Sequence, residues 1–353
     1  MRPFKMTAVT TDSDPSSRSG PEPDAETLFV LIPTFNDWEA LRLLLVDLEA
    51  VLAREELQAE VLLVDDGSTV PAPVDLIPNS SVALTRIDLM TLRRNVGHQR
   101  AIAIGLSYLE ANRTPSAVVV MDGDGEDAPR DVPRLLGRMQ EQGGTHIVFA
   151  ERTRRSESLL FRVCYFFYRH VHWLLTGIPV RVGNFSVVPY VQLRRLVVVS
   201  DLWNHFSAAV HRARLPLSRV PCERAARLSG SGKMNFVALV GHGLSAMSVF
   251  GDRIGVRMLI ASSSLVLLSF IALLAMALSG AVFGQGASPA LLWSAGLLVV
   301  VLSQALLFSF VFVFIVLASR NMSGFVPARE HALFVDTVRT LKVAGAERAR
   351  SDG

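Results

Sequence analysis

Apolar positions in this chain fall into short unbroken runs that alternate with longer stretches of helical spacing. "TLFVLIPTFN" (Thr27–Asn36) predicts a buried strand ending at Pro33. "DWEALRLLLVDLEAVLARE" (Asp37–Glu55) predicts a helix with Asp37 at its N-cap. "AEVLLVDDGS" (Ala59–Ser68) predicts a second strand, and "IDLMTLRRNVGHQRAIAIGLSYLEAN" (Ile87–Asn112) a strand that gives way to a helix near Gly97. "SAVVVMDGDG" (Ser116–Gly125), "PRDVPRLLGRMQEQ" (Pro129–Gln142) and "HIVFAER" (His146–Arg152) read as strand, helix and strand. Strands apolar on both faces, alternating with helices, predict an α/β fold with a mostly parallel sheet covered on both sides. Ligands of such sheets bind beyond the carboxyl ends of the strands.

The pattern changes after residue 152. Residues 158–179 are apolar and aromatic on one side, with Arg162, Arg169, His170 and His172 interspersed. That predicts a basic amphipathic helix in a membrane interface, with an ordinary surface helix as the alternative. Residues 233–257 read as a juxtamembrane helix. From Met258 to Ser319 there is no charged residue or histidine. This stretch predicts two membrane spans, 258–283 and 291–318, each longer than the roughly 20 apolar residues a bilayer core needs. The short linker "GQGASP" makes them a hairpin, and Arg253, Arg257, Arg320 and Arg329 flank it on one side. The positive-inside rule then puts the soluble part in the cytoplasm of a multi-pass inner-membrane protein.

Composition refines this division. Half of the residues are hydrophobic and the mean hydropathy is +0.36, an excess that is local to the hairpin. Residues 1–26 are rich in Pro, Ser, Asp and Thr and read as a disordered tail. Residues 27–232 form the expected cytoplasmic domain, and 320–353 a cytoplasmic tail. The net charge of +3 is small, and no nucleic-acid partner is expected. Cys164 and Cys222 have no metal or disulfide spacing and read as free thiols.

Candidate chemistry gathers at the strand ends. Pro33–Asn36 follow the first strand, Asp65, Asp66 and Gly67 the second, and "VVVMDGDGEDAP" (Val118–Pro129) a later one. Gly123 and Gly125 let the Asp122 and Asp124 carboxylates converge. Hard cations such as Mg2+ take oxygen ligands, often one or two carboxylates together with substrate phosphates. A metal–diphosphate site is the functional reading and a solvated turn the ordinary one.

"VLIPTFND", "VLLVDDGS", "LRRNVGHQRAIAIGL" and "VVVMDGDGEDAP" in this order resemble the successive signatures of family 2 glycosyltransferases with the GT-A fold. "RNVGHQRA", the Asp-x-Asp with "ED-P", and "RLSGSGKMNF" resemble more narrowly the polyprenyl-phosphate sugar transferases, the dolichol-phosphate mannose synthase group with a C-terminal membrane hairpin. The resemblance covers residues 28–320. It implies that Pro33, Thr34 and Asn36 line a nucleotide pocket and that Asp65 or Asp66 contacts base and ribose. It implies that Asp122 and Asp124 serve the diphosphate, with Asp124 the main ligand of Mg2+ or Mn2+ and Glu126 completing the metal shell. Arg227 and Lys233 would bind phosphate, and Asp127 is the nearest spare carboxylate should a base be needed. Two positions depart from the pattern. Asn184 stands in "RVGNFSVVP" where relatives often have Asp, and Trp203, Asn204 and His205 stand where an Arg-Phe pair is common.

The expected reaction is inverting transfer of one sugar from a UDP- or GDP-linked donor to a polyprenyl phosphate, with the bilayer as partner and a homo-oligomer in keeping with the family. A phosphate acceptor is already anionic and needs no base. Two alternatives stand beside it. One is transfer to a sugar hydroxyl of a glycolipid or lipid-linked glycan; the other is a non-catalytic membrane scaffold. Two spans and a "QLRRL" string lacking Trp (Gln192–Leu196) argue against a processive polymerase.

Overall fold

The computed structural model describes residues 27–78, 82–152, 169–178, 182–230, 236–283, 288–320 and 324–343. Its centre is a sheet whose strands are β1 (Leu28–Thr34), β2 (Ala59–Asp65), β3 (Leu84–Leu92), β4 (Ala117–Val120), β5 (Ile147–Arg152), β6 (Val182–Pro189), β7 (Leu217–Cys222) and β8 (Val335–Val343). Their order across the sheet is β7-β5-β6-β4-β1-β2-β3-β8. β4, β1, β2 and β3 run parallel, as the apolar runs predict. β6 is antiparallel to both β4 and β5, and β8 is antiparallel to β3, so the sheet is mixed toward both edges.

Every residue of β1 is buried, because the strand is covered on both faces. Leu28, Val30 and Ile32 pack on one side with Leu41, Leu44 and Leu48 of α1 (Trp38–Arg54) and with Leu135 of α3 (Val132–Glu141). Phe29 and Leu31 pack on the other with Ile102 and Leu106 of α2 (His98–Asn112). The alternation follows from the two-residue period of a strand. It leaves the carboxyl ends of β1, β2 and β4 as a common rim.

The helix predicted from Pro129 opens as a 3-10 turn (Pro129–Asp131), in which buried Asp131 accepts a 2.6 Å bond from Arg134. Two expectations need correction. Asp37 does stand before α1, but its side chain makes no cap bond; the carboxylate turns to Arg227 instead. The chain after the hairpin is not a tail throughout. Residues 335–343 become the edge strand β8, and the segment before it is tied down: Ala328 N–H donates to Val197 O (3.0 Å) and Arg93 N–H to Phe334 O (2.9 Å). Trp203 packs on Phe325 and Phe334, with ring centroids 4.0 and 4.9 Å away, and Arg100 lies over the Trp203 ring.

Two helices, Gly251–Phe283 and Pro289–Arg320, are long and apolar enough to cross a membrane. Their outward side chains, among them Leu267, Phe270, Leu298 and Phe314, are exposed. Ser262 Oγ meets Ser309 Oγ at 3.3 Å between them. A separate helix, Phe236–Ser248, leads in from the domain. Of the expected interfacial helix, residues 158–168 and 179 lie outside the described residues. The described part, 169–178, is helical at its start, buries His172 and exposes Val171, Trp173 and Leu174.

Candidate active site

The rim begins where β1 and β2 end side by side, Thr34 in register with Asp65. The Asp66 N–H donates to Thr34 O (2.9 Å) and holds the two ends together. Asn36 adopts a positive φ of 52°. This turns its carboxamide toward the β2 loop, where Oδ1 accepts the Thr69 and Val70 N–H groups (2.9 and 3.2 Å). Asp65 Oδ1 accepts the Ser68 N–H (2.8 Å). Asp66 is buried, and its two oxygens accept the Val96 and Gly97 N–H groups (2.7 and 2.9 Å) at the start of α2. Burial raises the Asp66 pKa, and these two amides pull against that rise. Asp66 thus ties the end of β2 to the start of α2, whereas Asp65 gives one oxygen to a turn. The Thr34 hydroxyl is buried and meets no hydrogen-bond partner among the described residues. An orphaned buried hydroxyl at a strand end suits a ligand's polar atom.

The acidic loop follows β4. Asp127 is buried, and its Oδ2 accepts the Asp122 N–H (3.0 Å). Its carboxylate therefore shapes the Asp122–Asp124 turn, which disfavours it as the spare base. Asp122 Oδ1 lies 3.0 Å from His98 Nε2 and accepts from Asn184 Nδ2 at 3.4 Å. Asn184 is held in turn by Gln99, whose Nε2 donates to Asn184 Oδ1 (3.0 Å) and whose Oε1 accepts the Phe206 N–H (2.7 Å). No sequence pattern marks His98, Gln99 and Asn184 as a network. Asn184 reaches Asp122 because β6 runs antiparallel to β4, with Val120 in register with Ser186. His205 Nδ1 caps the helix Phe206–Arg212 by accepting from Ala208 N–H.

Asp124 is tied from both sides. Oδ1 accepts the Glu126 N–H (3.0 Å) and Oδ2 accepts from Arg227 Nη1 (3.0 Å). Burial raises the Asp124 pKa; Asp122 and Glu126 add to the rise, while the Glu126 amide and Arg227 oppose it. Arg227 also pairs with Asp37, and so joins the start of α1 to the acidic loop. Glu126 pairs with Arg224. The backbone follows the same path, since Leu228 N–H donates to Asp124 O and Ala225 N–H to Glu126 O (both 3.0 Å). Gly125 makes the contact feasible: it has φ +85°, and a Cβ there would fall 2.3 Å from Leu228 Cγ. Segment 224–230 therefore lies across the acidic loop. Lys233 lies outside the described residues.

The donor set fits a divalent ion of the kind expected. Among the described residues no three His, Cys, Asp or Glu side chains form a ready-made metal cage. Asp122, Asp124 and Glu126 nonetheless sit within electrostatic reach of one another. Mg2+ and Mn2+ suit such a site, where one or two carboxylates are joined by phosphate oxygens and water.

Residues 29–191 match the family model for glycosyl transferase family 2. The chain is similar to the uncharacterized glycosyltransferase YkcC of Bacillus subtilis (strain 168), 28% identical over 166 residues, 45% of this chain and 48% of that protein. It is also similar to an undecaprenyl-phosphate 4-deoxy-4-formamido-L-arabinose transferase of Erwinia tasmaniensis, 30% identical over 137 residues, 39% of this chain and 40% of the relative. The matched segment spans less than half the length of either relative. Among solved structures, glucosyl-3-phosphoglycerate synthase from Mycobacterium tuberculosis with Mn2+, UDP-glucose and phosphoglyceric acid is similar at a TM-score of 0.47 and 17% identity, covering 65% of this chain and 80% of that one.

Proposed function

We propose, from the match of residues 29–191 to the family model for glycosyl transferase family 2, that this chain transfers one sugar from a nucleotide-diphosphate sugar to a polyprenyl phosphate at the cytoplasmic face of a membrane. The observation that carries the reading is one juxtaposition. The rim of a mostly parallel sheet bears an Asp-x-Asp loop at its carboxyl end, and the same domain is tied before and after a hairpin able to enter a bilayer. The similarity to undecaprenyl-phosphate sugar transferases supports the acceptor class.

In this reading the nucleoside enters beside Thr34, whose unsatisfied hydroxyl gains a partner, and beside the second oxygen of Asp65. Asp66 keeps the floor rigid through its two amide bonds. Asp124, with Asp122 or Glu126, would hold Mg2+ or Mn2+, which would supply positive charge against the leaving diphosphate. Arg227 and Arg224 now neutralise those same carboxylates. When the donor arrives they are released toward phosphate, where a planar guanidinium binds strongly. The lipid phosphate attacks from the opposite side of the sugar, so the anomeric centre inverts. An anionic acceptor requires no proton removal. Asp127, the one carboxylate in reserve, is engaged by the Asp122 amide, which favours a phosphate over a sugar hydroxyl as acceptor.

The direct test incubates the full chain in membranes with radiolabelled UDP- and GDP-sugars, Mg2+ or Mn2+, and either undecaprenyl phosphate or glycolipids. Label is expected on the lipid phosphate with one donor. Label on glycolipid alone would reject the proposal in favour of a hydroxyl acceptor, and label on neither would favour a non-catalytic scaffold.

A further inference from the structure

The hairpin carries a groove apart from the carboxylate loop. Asp252, Arg253, Val256, Arg257 and Ile260 line it from the first helix, and Val313 and Val316 from the second, so two arginines outnumber the one carboxylate. Val256 and Ile260 are four residues apart, so they share a face, with the two arginines alongside. Both aliphatic side chains are exposed. The groove is thus cationic at its head and aliphatic below, and its head lies just before the uncharged run that begins at Met258.

Arg257 is not a loose surface cation. Its Nη1 donates to the carbonyls of Leu174 and Trp173, the latter at 3.3 Å. Gly177 (φ +76°) approaches so closely that a Cβ there would lie 2.7 Å from Arg257 Nη2. Segment 169–178 therefore seats this guanidinium at the head of the groove. Arg253 stands over the Phe250 ring, 5.7 Å from its centroid. Asp252, the acidic residue beside them, accepts a 2.6 Å bond from Arg212.

We propose that this groove binds one anionic diacyl phospholipid, its phosphate between Arg253 and Arg257 and an acyl chain along Val256, Ile260, Val313 and Val316. Guanidinium groups match phosphate oxygens in charge and geometry, and the aliphatic wall continues in the direction an acyl chain must take into the bilayer. The occupant is not the reacting acceptor. The helix Phe206–Arg212 separates groove from site: its first N–H is linked through Gln99 and Asn184 to Asp122, and its last residue to Asp252. Seven helical residues span about 10 Å, whereas an attacking oxygen must come within about 3.5 Å of its target. A resident lipid here would join the hairpin to segment 169–178 through Arg257. The inference rests on the reading that the hairpin lies in a bilayer.

The full chain, extracted in mild detergent and stripped of lipid, is offered phosphatidylglycerol and phosphatidylcholine of matched chains, and bound lipids are counted by native mass spectrometry. One phosphatidylglycerol is expected, preferred about tenfold or more. The pair Arg253→Gln and Arg257→Gln should bring the preference close to one. Because Arg257 also anchors Leu174, Arg253→Gln alone and Ile260→Trp, which fills the aliphatic wall, are measured as well. Each should weaken phosphatidylglycerol retention while leaving the lipid-free thermal midpoint at the wild-type value. Equal retention of the two lipids, or unchanged retention in every variant, overturns the proposal. Displacement of phosphatidylglycerol by undecaprenyl phosphate, one for one, also overturns it and makes the groove an acceptor site. Failure of the membrane reading looks different: the chain is then recovered from the aqueous fraction without detergent.

Discussion

The rim formed by β1 and β2 and the loop after β4 both present carboxylates, yet they handle the charge in different ways. At the rim, Asp66 gives both oxygens to backbone amides, and Asp65 gives one. Backbone donors are fixed in place, so the negative charge is built into the scaffold. In the loop, Asp122, Asp124 and Glu126 meet His98, Arg227 and Arg224. Side-chain partners can swing away and be replaced by a ligand. In the proposed reaction the fixed donors would keep a preorganised surface for a base and ribose, and the exchangeable ones would leave a site whose charge balance changes when a diphosphate and its cation arrive.

The sharpest way to break the contrast is to remove one carboxylate from each region. Asp124→Asn keeps the shape and loses the anion. Turnover should fall roughly 100- to 1000-fold, with the thermal midpoint unchanged or slightly raised, because a buried carboxylate with a raised pKa carries a cost when ionised. Asp66→Ala should do the reverse in emphasis. It leaves the Val96 and Gly97 amides without their acceptor, at about 1–3 kcal/mol for each buried donor. The thermal midpoint should drop by several degrees and nucleotide binding should weaken with it. If Asp124→Asn proves the strongly destabilised variant and Asp66→Ala the stable, inactive one, the division between scaffold and exchange site is wrong.

How far the sequence revealed these regions follows the same line. The parallel strands were legible because continuous apolar runs such as "LFVLI" and "VLLV" suit only strands buried on both faces. Asp122, Asp124, Asp65 and Asp66 were legible because they end those strands. The clamp was not. Arg227 reaches Asp37, 190 positions away, and Asp124, 103 away, and no local pattern encodes such pairs. Asp37 looked like a cap because Asp before an apolar helix usually is one, and a stronger cationic partner drew its side chain off. β8 was missed because "VDTVRTLKV" is half polar, as an exposed edge strand should be, and because it follows a membrane hairpin. His98 lay inside a stretch that carries the resemblance and Asn184 was a departure from it, and neither showed the partner it meets.

The smallest expected effect concerns His98, and it asks whether its contact with Asp122 is ionic. Burial alone would lower the His98 pKa, but Asp122, with Asp127 and Asp124 behind it, outweighs burial and raises it above the ordinary value. A histidine raised in the folded state stabilises fully below its unfolded pKa of about 6.5 and loses that contribution as pH climbs through the folded value. The imidazole is 43% exposed, so solvent screens the pair and its worth stays below about 1 kcal/mol. The thermal midpoint of His98→Gln should therefore trail wild type by a degree or two near pH 6 and converge with it by about pH 9. A gap that persists at alkaline pH would mean that His98 holds Asp122 as a neutral donor. The contact would then belong with the fixed amides of the rim rather than with the exchangeable cations of the loop.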